Sequence, residues 1–144
     1  MGEDGSVLPI HAATLRLFLH VVSAMVWVGG QVVLAALVPV VRRTGGTETT
    51  RAVARRFQLV AWPAFAVLVA TGIWNLFAVH VGDQSGAYLT TLAVKLVLVG
   101  VSGAGALAHI MLARTKPALG GALAGLALLA ALGATFAGVL LRTG

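Results

Sequence analysis

His20, Lys95 and Asn75 are the side chains of this sequence best suited to hold a cofactor, because each is a polar or ionisable group set in an apolar stretch. At membrane depth such groups are costly, and those present usually look into a bundle interior and mark a site. At about 100° per residue, Arg16, His20, Ser23, Trp27 and Gln31 share one helical stripe about 80° wide. Thr91, Lys95, Ser102, Ala106 and His109 form a comparable stripe later in the chain. Thr71 and Asn75 lie above Ala64 and Ala61 on a third, small and polar face. Imidazole suits a metal ion or a haem iron, so His20 and His109 are the candidate metal ligands.

Depth separates the two histidines. Counted along the helices, His20, Lys95 and Asn75 share a layer roughly 8 to 10 Å below one surface, whereas His109 lies about 21 Å beyond Lys95. One small cofactor is not readily held by both. A soft copper site would want thioether sulfur beside imidazole. Met25, however, lies about 140° around its helix from His20, and Met111 about 160° from His109. Each polar group also has a simpler reading that stays open. Lys95 and Arg16 can snorkel to headgroups, His20 can bond a neighbouring helix, and His109 can be a solvated interfacial histidine. Trp27 and Trp62 read as packing residues and Trp74 as interfacial.

Other chemistry is poorly provided for. There are no cysteines, which removes disulfides, zinc-thiolate sites and thiol nucleophiles. The acids, Glu3, Asp4, Glu48 and Asp83, all fall outside the apolar stretches, so paired-carboxylate catalysis lacks its groups. Gly100 to Gly105 lies mid-stretch and reads as a packing face, not a phosphate loop.

The elements that must position these residues follow from composition. The 144 residues are 59% hydrophobic and 10% charged, well outside the range of water-soluble domains. A helix needs roughly 20 apolar residues to cross a bilayer. Four such spans are predicted, over 15–41, 57–79, 89–113 and 118–141, giving a single domain that is an all-α, antiparallel four-helix membrane bundle. The polar link from Thr44 to Thr50, the loop from His80 to Gly86, and Arg114 to Pro117 are the expected turns. Glu3 and Asp4 replace a basic n-region, so the first span is expected to be retained and not cleaved as a signal peptide.

Arg42, Arg43, Arg51, Arg55, Arg56, Arg114 and Lys116 fall in the first and third links and none in the second, which places both termini outside the cytoplasm. The same placement explains the net charge of +6 as topology-setting, with no nucleic-acid partner expected. The last span has Gly121, Gly125, Ala130, Ala134 and Gly138 at or near four-residue spacing, a small face for packing within the bundle, against a second copy or against a partner in a membrane complex.

The residues Leu19-His20 through Trp27-Val28-Gly29-Gly30, then Arg55-Arg56-Phe57 leading to Thr71-Gly72, then Leu92 to Leu98 with Lys95, resemble the core of the copper resistance D (CopD) family of bacterial membrane proteins. The resemblance covers three of the four expected spans. The same pieces, with Trp62-Pro63-Ala64 and Thr71-Gly72-Ile73-Trp74, also resemble the HemJ family, four-helix membrane proteins linked to protoporphyrinogen oxidation and haem binding. There His20 and Lys95 match the family's important His and Lys. Two positions depart from HemJ. Val40-Val41 stands where a histidine is expected, and Lys116-Pro117-Ala118 replaces an acidic lead-in to the last helix. The resemblance thus implies a multi-pass protein of the bacterial cytoplasmic membrane that handles copper. The alternatives are a haem b-binding redox protein and an accessory subunit of a larger complex, and whether the chain is an enzyme stays open, with the balance against it.

Overall fold

Gly46 is the only described residue with a positive φ, and it organises the first half of the chain. In the computed structural model, which describes residues 10–144, helix α1 runs from Ala12 to Ala78 and is broken only at Gly46, where φ is 71° and ψ is −172°. Residues with a Cβ scarcely occupy that region, so glycine is what lets the backbone reverse here. Helical structure resumes at once on the far side, and the Thr50 hydroxyl donates to the Gly46 carbonyl at 2.8 Å. Helices α2, Gly86–Leu112, and α3, Pro117–Thr143, complete the described secondary structure apart from a short 3-10 turn at Val81–Asp83. Glu3 and Asp4 lie outside the described residues.

The described residues are therefore all helical, in three long runs and not the four separate helices expected. The physical reason is the link. Thr44 to Thr50 is polar but not a loop, because one Gly in an extended left-handed conformation does the work that several turn residues would otherwise share. The expected boundaries at 41 and 57 fall inside helix. All three runs are long and apolar enough to cross a membrane.

The two arms of α1, 12–45 and 47–78, fold against one another. His20 meets Thr71, Trp27 meets Trp62, and Gly30 meets Phe57, each pair closer to Gly46 from both sides, as an antiparallel hairpin requires. Helices α2 and α3 form a second hairpin. Gly105 packs on Ala127, Gly133 under Leu98, and Gly120 on the backbone of Ala113, where an added Cβ would sit only 2.8 Å from the Ala113 Cα. Ser85 opens α2 by accepting from the Tyr88 N–H, and Pro117 begins α3, where its missing N–H costs nothing.

Trp27 joins the hairpins. It lies in a single wide π-helical turn, Met25–Gly29, and packs with Ala61 and Ala131 at the centre of the molecule. Its indole N–H donates to the Ser102 hydroxyl at 3.1 Å, and its ring stands 4.3 Å from Phe65 and 5.4 Å from Trp62, centroid to centroid. Phe65 in turn covers Gly103, where a Cβ would come within 2.7 Å of the ring. The buried face of α3 is made by Gly120, Ala127, Ala130, Ala131, Ala134 and Ala137. Gly121 and Gly125 have open space around them, so the small face divides into an inward and an outward part.

Candidate functional site

Two ends of the molecule are distinguished by these pairings: a bend end, at Gly46 and the α2–α3 turn, and a terminal end, where residues 12, 78, 86 and 143 gather. His20 lies toward the terminal end on the inner side of the first arm. Its Nδ1 stands 2.9 Å from the Thr71 hydroxyl oxygen of the second arm. That hydroxyl is itself 2.7 Å from the Val67 carbonyl and 3.1 Å from that of Leu68, both of which can only accept. Thr71 has one proton, and it goes to the backbone. The hydroxyl oxygen therefore accepts from His20, the neutral ring carries its proton on Nδ1, and Nε2 is left as the basic nitrogen. Gly72 lies beside the ring, with space for a methyl group 3.5 Å from Cε1.

Cationic groups gather around this histidine. Lys95 of α2 is part-buried and within Coulombic reach of His20. Its ammonium is seated over Gly138 of α3, where an added Cβ would lie 3.2 Å from Nζ. One turn toward the terminal end, the Arg16 guanidinium sits over the Trp74 ring at 5.8 Å, a cation–π contact that holds it against the protein. The Arg16 Nε is buried without a hydrogen-bond partner. Asn75, part-buried, is one turn beyond Thr71 on the same arm. His20 and Lys95 are thus brought together, with Asn75 on the adjoining turn. Sequence reasoning missed Thr71 as the residue that fixes the histidine, and Gly138 as the seat of Lys95. The threonine was visible on the polar face of its arm, but only the antiparallel register opposes it to His20.

His109 belongs to another structure. It is part-buried near the bend end, and its Nδ1–H donates to the Gly120 carbonyl at 2.7 Å, tying α2 to the first turn of α3. The two histidines share no partner. Gln31, further along the first stripe, has a buried side-chain nitrogen without a hydrogen-bond partner.

The donor set can be tested against the two groups that the family resemblances imply. Among the described residues no three metal-binding His, Asp or Glu side chains come together. Met25 and Met111 are 67% and 71% exposed, turned away from the core. His20 alone, beside Lys95, gives a resident copper ion one nitrogen and a repulsive neighbour, which does not fit such a site. A haem asks for different things: an axial imidazole nitrogen, apolar walls, and cations for its carboxylates. His20 Nε2 and the positive charge of Arg16 and Lys95 are the parts of that set the chain supplies here. Compared with known proteins, the chain matches no family model, no curated protein and no solved structure.

Proposed function

We propose that this chain is a multi-pass protein of the bacterial cytoplasmic membrane, of CopD/HemJ type, that binds a b-type haem through His20. The observation carrying this reading is the Thr71–His20 hydrogen bond, which orients the ring and leaves Nε2 as the nitrogen without a hydrogen-bond partner in the protein. A metal-ligating histidine commonly gives its other N–H to a fixed acceptor, which sets its tautomer and raises its basicity. Arg16 and Lys95 supply positive charge for the haem carboxylates, and Trp27, Trp62 and Phe65 close the core beneath. The haem itself would supply a one-electron redox centre.

In this reading each arm of α1 crosses the bilayer, as do α2 and α3, giving four crossings in an antiparallel bundle. Each arm is about 50 Å long at 1.5 Å per residue, enough for the hydrocarbon and an interface. The arginines near Gly46, with Arg114 and Lys116, set the bend end in the cytoplasm and both termini outside. His20 then lies in the outer leaflet.

The visible spectrum of the purified protein, taken together with metal analysis, tests the proposal. A Soret band lost in His20→Ala is the expected result. A colourless protein with stoichiometric copper would overturn it in favour of copper handling. A second reading, an accessory subunit or homo-oligomer, is favoured by the outward position of Gly121 and Gly125 on α3. Loss of a larger complex on native electrophoresis in Gly125→Leu would support that role.

A further inference from the structure

On the bend side of Trp27 the two arms of α1 flank an open groove of about 610 Å³, lined by Val33, Leu34 and Leu37 opposite Ala52, Val53 and Arg56. Its inner end is the contact of Gly30 with the Phe57 ring, where glycine is needed because a Cβ would overlap the ring. The volume falls in the range of small-molecule sites. Apart from Arg56 the walls are apolar.

Height along the bundle identifies the level at which the groove lies. Counted from the Trp27–Ser102 layer at about 1.5 Å per residue, Arg56 is about 9 Å and Leu37 about 15 Å toward the bend. The latter height matches the end of α2 at Leu112, so the groove reaches from mid-leaflet to the headgroup level. Beyond it the arms carry Arg42, Arg43 and Arg51, all exposed, against the single acid Glu48, and Arg55 lies at the level of the groove itself. An apolar slot opening beneath an excess of guanidinium groups is complementary to a molecule with an acyl chain and an anionic head.

We propose that this groove is a specific site for one anionic phospholipid, its phosphate at the mouth by Leu37, met by an Arg56 side chain extended toward the bend, and an acyl chain running inward along Leu34 and Val33. Guanidinium suits the role because it meets phosphate oxygens with two parallel N–H donors. The proposal rests on the reading that the chain spans a membrane, and is independent of haem. Bound lipid here would brace the two arms of α1 against one another.

The test is native mass spectrometry of the full chain in mild detergent, titrated with phosphatidylglycerol or phosphatidylcholine of matched chains. One phosphatidylglycerol adduct is expected to form with about tenfold preference. Arg56→Gln should lower that preference toward unity, and Val53→Phe, which narrows the slot, should weaken binding of the same lipid with the arginine intact. Arg114→Gln, on the other cytoplasmic link, should leave it unchanged. Equal binding of the two lipids, or equal losses in Arg56→Gln and Arg114→Gln, would overturn the site and indicate diffuse surface attraction. Recovery of the chain outside the membrane fraction would instead sink the spanning reading.

Discussion

With the Thr71 proton committed to the Val67 carbonyl, the His20 ring has one way to satisfy the contact, by donating from Nδ1. Thr71→Val keeps the shape of the side chain and removes the acceptor, which frees the ring to rotate. With His20 as the proposed haem ligand, affinity should fall about 10- to 100-fold, the usual effect of losing an outer partner of a ligating histidine. Titration of the apoprotein followed at the Soret band measures this, and Thr71→Ser should recover most of the loss. Restored affinity without a hydroxyl at position 71 would show that the contact is only packing. His109 offers a contrast, since its bond to the Gly120 carbonyl joins helices and touches none of the His20 group. His109→Ala should cost about 1 kcal/mol through the lost hydrogen bond. A lowered thermal midpoint with an unchanged haem spectrum is the expected pair of results.

At the scale of elements, Gly46 and the glycines under aromatic rings carry the packing. Gly46→Ala forces a Cβ into a region reserved for glycine and should destabilise the α1 hairpin by about 1 to 3 kcal/mol. Gly125→Ala, with open space around it, is the matched control and should be neutral to slightly stabilising in a helix. Denaturant titration in detergent micelles compares the two, and equal effects would argue against strain at the bend. Much of this element structure was legible. The apolar runs and the polar stripes on the first three spans are written directly in residue type and spacing, and His20 and Lys95 could be placed in one layer by counting. The single-residue bend was not, because Thr44 to Thr50 has the composition of a loop and only the backbone conformation of Gly46 shows that it is none. Nor was the wide turn at Met25–Gly29, which depends on how Trp27 is accommodated between Trp62, Phe65 and Ser102. On α3 the four-residue pattern suggested one small face, and the structure puts Gly121 and Gly125 on the other side from Gly120 and Ala127. A difference of one position is 100° of helix, and the sequence has no marker for it where Gly and Ala occupy every side.

For the whole molecule, the polarity of the charge distribution leads to a topology that can be checked directly. A phosphatase reporter fused after Gly144 should be active, and one inserted at Gly46 inactive, since the proposed topology puts the arginine-rich bend in the cytoplasm. The opposite pattern would move His20 to the inner leaflet and reverse every depth assignment. The bend also bears on how the protein is made. Because α1 reverses at a single residue, the two proposed crossings are joined by polar helix and not by a loop, and the emerging 67-residue run presents both arms to the insertion machinery as one hairpin. The arms should therefore enter the bilayer together. A protein with a flexible loop there could lose one crossing and keep the other, whereas here weakening the first arm withdraws the partner on which the second depends.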